Sequence, residues 1–591
     1  MEPATRGRCL NAAALLTLAA LAIAGHSLHA ETPEALGRNY RKNPSSQNRA
    51  ALVRFAAAHP KDIEGAEALL ALAAADFERR AFAEVIFSLQ AAEKRLPKLA
   101  DYTAYLAASS KAELNNPSEA LKRLETVWKQ APASPLLAKS LLLAAKADLE
   151  LKKPKDAIDL LRKYSTVVPQ PQGDLLSGAA AEAMGDGLGA AGYYQRVYCL
   201  YPNSAEADQA ETALSRLRAT LGDSFPVPSS QALLDRAFRM LNTGDPARAR
   251  RELENLQSQL GGAEREIAKV RTGAASYLAK ENEAALRYMK ALSVSTPEAD
   301  AERLYYLQAS ARRLNRDADA ADALEQLTKR HPKSRWRLQA MLSTANQFMV
   351  RNVVDQSDPM FRACYESFPN DPEAANCHWK VTWNAYLHRN PEAVAMLRAH
   401  LVTYPLSEKA AAALYFLARN AEKAKRTADA KAYYAEIVER FPHFFHAVLA
   451  REKLKETSLV RAAPSKEVTD FLGTIQFPPR GPRLSFEPVL ETRQRMERAR
   501  LLGGAGLDDW AENELRFGAK NDSQPHILAM ELAQMADRRG SPDQAIRYIK
   551  SLAGGYLSIP FDAAPEKFWR LAFPLPYRSA VEMNSRLRSL D

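Results

Sequence analysis

Few residues in this 591-residue chain are spaced for chemistry. GLGAAG at 187–192 has the glycine spacing of a dinucleotide-binding loop. HFFH at 443–446 sets two imidazoles at i and i+3, and Glu366-Ser367 in CYESFPND pairs a carboxylate with a hydroxyl. Asp508-Asp509 with Glu512 and Glu514 supplies paired carboxylates. Each grouping fails on context. A dinucleotide loop needs a strand before it and a helix after it, whereas an alanine-rich helical stretch precedes Gly187 and the segment falls at an inter-helix turn. The two histidines have no acidic third ligand at metal-site spacing, so they read as a repeat turn with aromatic packing. Glu366 lies at a helix end beside a proline, with no substrate-cradling motif after it. The acidic cluster reads as a solvated helix face or as favourable charge at a helix N-terminus. No catalytic, metal or cofactor residue is therefore assigned in this chain.

Two cysteines have a spacing of their own. In FRACYESFPNDPEAANCHW, Cys364 and Cys377 each lie five residues from the nearer proline of the Pro369–Pro372 turn. A helical hairpin about that turn sets them face to face. A disulfide, worth about 2–3 kcal/mol for so short a loop in an oxidising compartment, and two packed thiols both fit.

The elements that would position any site are announced by proline. Prolines that close an amphipathic helix stand at 60, 97, 132, 169 and 202, and again at 297, 332, 369, 405 and 442. Proline cannot continue a helix and biases its predecessor away from helical angles, so each marks a helix end. Each step holds two helical patterns and a turn, and GYYQRVYCLYP (192–202) matches AYYAEIVERFP (432–442) across 240 residues. That offset is close to seven repeats of the roughly 34-residue tetratricopeptide unit. The expected fold is all-α: a superhelical solenoid of tetratricopeptide-like helix pairs, each burying its apolar face on the next.

Composition agrees. Hydrophobic residues make up 47% and charged residues 26%, ordinary for a folded chain. The first 30 residues have a positive start at Arg6 and Arg8, an apolar run over 10–25 and a cleavage-like Leu28-His29-Ala30. This is the layout of a secretory signal, with an uncleaved anchor as the rival. The expectation is an exported, periplasmic protein with no membrane span after signal removal. Net charge is +11, spread without dense Lys/Arg blocks, which argues against nucleic acid and suits a diffuse acidic partner.

The expected organisation is a signal at 1–30, helical repeats at 31–220 and 221–455, and a proline-rich linker at 456–488. A small helical unit at 489–555 and a connector at 556–591 follow. The ending FWRLAFPLPYRSAVEMNSRLRSLD (568–591) is apolar and rigid where polar fraying is usual. Pro574, Pro576 and Tyr577 are the residues expected to dock against a following domain.

Three stretches resemble the soluble lytic murein transglycosylases. Residues 377–454 are similar to the end of that family's superhelical, U-shaped domain, and 499–519 with 543–552 are similar to its linker domain. In the family, a Tyr/Phe-Pro-Leu-x-Tyr segment like 573–577 leads into a lysozyme-like catalytic domain. The resemblance implies cleavage of the β-1,4 MurNAc–GlcNAc bond of peptidoglycan to 1,6-anhydro products, with peptidoglycan glycan strands as partner. The family's Glu-Ser-x-Phe and Gly-Leu-Met-Gln patterns do not occur here. The expected role is accordingly the non-catalytic part that positions cell wall and braces a catalytic domain, as a fragment or a degenerate relative. The alternative is an exported repeat scaffold that binds protein partners on its concave face.

Overall fold

The computed structural model describes residues 32–479 and 483–590. Residues 1–30, read above as a signal, lie outside the described residues. The described elements are α-helices and short 3-10 turns, without a strand, and the chain is an α-solenoid of tetratricopeptide-like helix pairs. No helix among the described residues is long and apolar enough to cross a membrane.

Two local devices build the pairs. After the first helix of each pair, one residue takes the left-handed conformation: Arg80, Asn115, Lys152 and Gly185, then Gly244, Lys280, Asn315, Asn352, Arg389 and Lys425. The next backbone N–H then donates back to a carbonyl in the last helical turn, as in Asn116 to Lys111 and Asn390 to Ala385, both 2.9 Å. These bonds satisfy carbonyls that a helix end leaves open. Asn116, Asp186 and Asp245 cap the second helix through their side chains. At the other end of the pair stands the residue before the proline. Tyr201, His331, Phe368, Tyr404 and Phe441 have φ of −127, −132, −132, −128 and −126°, the non-helical geometry that a following proline imposes. Pro297 differs: it opens the helix Pro297–Arg313, where its missing N–H leaves nothing unsatisfied.

Within the described residues the chain forms two compact units. One comprises residues up to Lys153 together with Glu487–Leu552; the other comprises Pro154–Phe486 and the residues from Ala553 onward. The chain thus leaves the first unit after Lys153, returns to it at Glu487 and leaves again after Leu552. Of the stretch expected as a small unit at 489–555, the residues up to Leu552 pack with the N-terminal helices and carry the same turn device at Gly506 and Gly540.

In the second unit successive helices share one alanine- and leucine-lined core after another. The proline-rich stretch expected as a bare linker contributes to this packing. Helices Thr457–Arg461 and Lys466–Gly473 bring Leu459, Val468 and Leu472 into the core around Tyr434 and Ile437.

Cys364, on helix Val354–Ser367, and Cys377, on helix Ala374–Leu387, are buried and joined as a disulfide, with Cα atoms 6.3 Å apart. Cys199 is a buried free thiol. Replacing Cys364 by serine is expected to lower the stability of the second unit by about 2–3 kcal/mol, the loop-closure contribution of a short disulfide loop. The shift of a urea transition under non-reducing conditions reads this, and dithiothreitol should produce a comparable shift in the parent chain and none in the variant.

Candidate functional site

In the first unit, helix Leu490–Gly504 lies against the N-terminal helices through a buried cluster of charge. Arg495 and Arg498 sit one turn apart and are 0% and 1% exposed. Arg498 donates to both oxygens of Asp101 at 3.0 and 2.6 Å, and to Glu514 at 2.7 Å. Arg495 donates to Glu514 at 2.7 Å and to Asp522 at 3.0 and 3.1 Å. The Tyr102 and Ser134 hydroxyls donate to Glu514 and Asp101, at 2.8 and 2.5 Å. Main-chain carbonyls of Lys98 and Ala133 also accept from Nη1 of Arg498 and of Arg495. Burial alone would lower the Arg498 pKa, but hydrogen bonds to Glu514 and Asp101 outweigh it and the pKa is raised. A buried ion cluster stays charged only when its lone pairs and protons are matched in this way.

Beside this cluster two backbones meet. A Cβ on Gly37 would overlap the Ala505 carbonyl, and one on Gly506 would lie 2.8 Å from the Arg38 nitrogen and the Glu34 carbonyl oxygen. Gly506 also has φ +71°. Gly506→Ala is therefore expected to cost about 2–4 kcal/mol, from left-handed strain and overlap in a packed contact. Gly540→Ala, with φ +73° and open space, is expected to cost only the backbone part, about 1–2 kcal/mol. Hydrogen exchange over helix Pro33–Lys42 distinguishes the two, since only the first substitution should release it.

In the second unit the aromatic side chains gather on one face. Trp379, Trp383 and Tyr386 follow one stripe of helix Ala374–Leu387, with rings parallel within 15° and centroids 6.0 and 5.6 Å apart. Phe416, on helix Ala410–Lys423, packs 4.6 Å from both Trp383 and Tyr386. His446, on helix Phe445–Leu454, continues the row against Phe416 and Tyr415. The row is half-buried, and Phe445 beside it is 70% exposed. Where these helices end, a cleft of about 720 Å³ opens, lined by Tyr386, Arg389, Val394, Arg419, Lys423 and Lys453. Beneath the row His378 and His400 meet through their Nδ1 atoms at 3.1 Å. Burial holds them down to about 4 and about 3, so at neutral pH both rings are neutral and one donates to the other.

Of the residues singled out in the sequence, Glu514 lies in the arginine cluster and His446 in the aromatic row, and the others fall elsewhere. Gly187 opens a helix capped by Asp186, and His443 packs on Trp569 with centroids 4.3 Å apart. Asp508 and Asp509 stand in the first turn of helix Asp508–Asn521, and of the cluster Asp509 is solvated, at 81% exposed. Glu514 is 0% exposed, Asp508 pairs with Arg38 at 2.7 Å, and Glu512 accepts from the Tyr548 hydroxyl. In the final stretch Phe568, Trp569 and Leu571 are buried, whereas Pro576 is exposed, Pro574 half-buried and Tyr577 85% exposed. Helix Arg578–Arg588 buries no residue. No group of three or more His, Cys, Asp or Glu side chains among the described residues is placed to hold a metal ion. The sequence reading missed the arginine cluster and the aromatic row. The i, i+4, i+7 spacing of Trp379, Trp383 and Tyr386 was the available signal for the row.

The folded elements define an α-helical repeat protein. A family model described as tetratricopeptide repeat matches residues 303–334 and 412–443, segments that end beside Pro332 and Pro442. Among solved structures, an inactive mutant of the lytic transglycosylase Slt from Pseudomonas aeruginosa is 16% identical with a TM-score of 0.53, over 87% of this chain and 75% of that one. Yeast Tom70 is 13% identical over 89% of this chain and 97% of that one, with a TM-score of 0.22. Naa15/Naa10 bound to HypK-THB is 16% identical over 98% and 91%, with a TM-score of 0.27. No curated protein sequence matches the chain. At these identities the likeness to Slt is one of fold.

Proposed function

We propose that this chain is the non-catalytic, superhelical part of a periplasmic lytic transglycosylase, and that it holds peptidoglycan strands and braces a catalytic domain. One observation carries the reading. The stretch similar to the family's linker domain, 499–519 with 543–552, is seated on the N-terminal helices by the Arg495–Arg498 cluster, so the chain brings Glu487–Leu552 back to its first helices. The fold likeness to Slt, over 87% of the chain, supports it, as do the ordered sequence stretches. Exposed Pro576 and Tyr577 supply the surface on which a catalytic domain would rest. Cosedimentation of the purified chain with isolated sacculi tests the reading. Binding without release of anhydro-muropeptides is expected. Failure to sediment above a bovine serum albumin control would sink the cell-wall role, and anhydro products would sink the non-catalytic one.

A further inference from the structure

We propose that the aromatic row on helices Ala374–Leu387, Ala410–Lys423 and Phe445–Leu454 is a docking surface for an extended acidic segment of a partner protein. An apolar side chain of that segment sits against Trp383 and Phe416, and its carboxylates meet Arg389, Lys409 and Lys423. The inference stands apart from the cell-wall reading and rests on different observations.

The first concerns hydrogen bonds. The indole N–H groups of Trp128, Trp336 and Trp569 each donate within the chain, to Ser140, Glu298 and the Phe561 carbonyl, at 3.0, 3.0 and 2.9 Å. The indole N–H groups of Trp379 and Trp383 and the Tyr386 hydroxyl have no hydrogen-bond partner among the described residues, and half-buried Trp510 in the first unit has none either. Buried tryptophan and tyrosine usually satisfy their polar tip; these rings pack on the core with one side partly exposed, and three unpaired donors along one helix stripe are placed to meet a ligand.

The second is charge. Residues 374–456 carry 13 Lys and Arg against eight Asp and Glu, a surplus of +5 out of +11 for the whole chain. Arg419 and Lys453 share Glu422. Arg389, Lys409 and Lys423 are exposed and form no ion pair among the described residues. They bracket the row, with Arg389 and Lys423 in the cleft and Lys409 close enough to His446 to help lower its pKa after the larger effect of burial. Such a field favours an anionic ligand and discriminates against cationic ones.

The third distinguishes a peptide from a glycan. A sugar ring stacks on an open aromatic face, but Trp383 has Trp379 and Tyr386 parallel on its two sides and Phe416 against it. The rings are partly buried, and their N–H and hydroxyl tips have no partner among the described residues. Peptide carbonyls accept from such donors, and an apolar side chain fills the space between edges. Repeated helices present these contacts in sequence, as an extended peptide requires.

The test pans a random dodecapeptide library on the full chain, then measures synthetic, dye-labelled copies of the enriched peptides by fluorescence anisotropy. Enriched peptides should place Asp or Glu on both sides of an apolar residue. Trp383→Ala should weaken them by about tenfold or more, in the range of interface anchors. The double variant Arg389→Glu/Lys423→Glu, both exposed, should do the same with an unchanged urea transition. Absence of enrichment, enrichment without acidic residues, or affinity unchanged in both variants would overturn the proposal. Displacement of the peptides by solubilised murein fragments would overturn it as well and make the row a glycan surface.

Discussion

Arg498→Ala is expected to lower the stability of the first unit by about 3–5 kcal/mol, the cost of leaving buried charge without its partner. Asp101 and Glu514, both 0% exposed, would each lose guanidinium hydrogen bonds that no water can replace without opening the contact. Arg498→Lys is expected to recover little, because a single ammonium cannot reproduce the fork that spans Asp101 and Glu514. A double substitution, Arg498→Met with Asp101→Asn, should be milder than Arg498→Ala. It removes charge of both signs, and well-packed neutral replacements of buried ion pairs are often near neutral. Urea unfolding of the three variants, followed by hydrogen exchange over helices Ala100–Glu113 and Leu490–Gly504, checks the order. A lysine variant as stable as the parent would show that net charge, rather than bidentate geometry, holds the junction.

Glu67→Gln is expected to stabilise the first unit at pH 8 by up to about 3 kcal/mol and to leave it unchanged at pH 4. Glu67, on helix Ile63–Glu78, is 8% exposed and packs against Gly504. No hydrogen bond or ion pair reaches its carboxylate among the described residues. Burial, with smaller contributions from the Glu64 and Glu34 charges, pushes its pKa from 4.5 up to about 7. A carboxyl raised in this way favours the folded state when protonated. Its contribution is fully present below pH 4.5 and is lost as pH rises through 7. The parent chain should therefore lose stability across that window while the glutamine variant, always neutral, does not. Denaturant midpoints of both proteins from pH 4 to 8 give the comparison, and parallel curves would place the carboxyl in water.

The solenoid was legible because its signals are local. A proline and the residue before it fix a helix end whatever lies elsewhere, and Tyr201, Phe368 and Phe441 behave alike because the same steric rule acts on each. The tetratricopeptide matches at 303–334 and 412–443 fall where that ladder is most regular. The junction in the first unit was not legible. RQRMERARLL has the composition of a solvated helix, and nothing near Arg495 or Arg498 announces partners hundreds of residues away. Glu514 misled for the same reason, since its burial depends on two guanidinium groups and a tyrosine from other helices. The aromatic row stands between these cases. Its spacing is written in one helix, but its openness depends on what packs above it, which only the folded chain shows.

The division of the chain has a consequence in time. Asp101 and Arg498 are 397 residues apart, and almost everything between 153 and 487 belongs to the other unit. A chain that emerges from its N-terminus at roughly 5–20 residues per second presents Asp101 about 20–80 seconds before its arginine exists. Throughout that interval the N-terminal helices can be only a partial structure, with acidic and apolar surface open to solvent. The large middle unit, whose contacts are mostly between neighbours, can meanwhile complete itself. Maturation of the first unit is then gated by the arrival of its last helices, and a chain cut short before Glu487 would leave the early helices without their counter-charge.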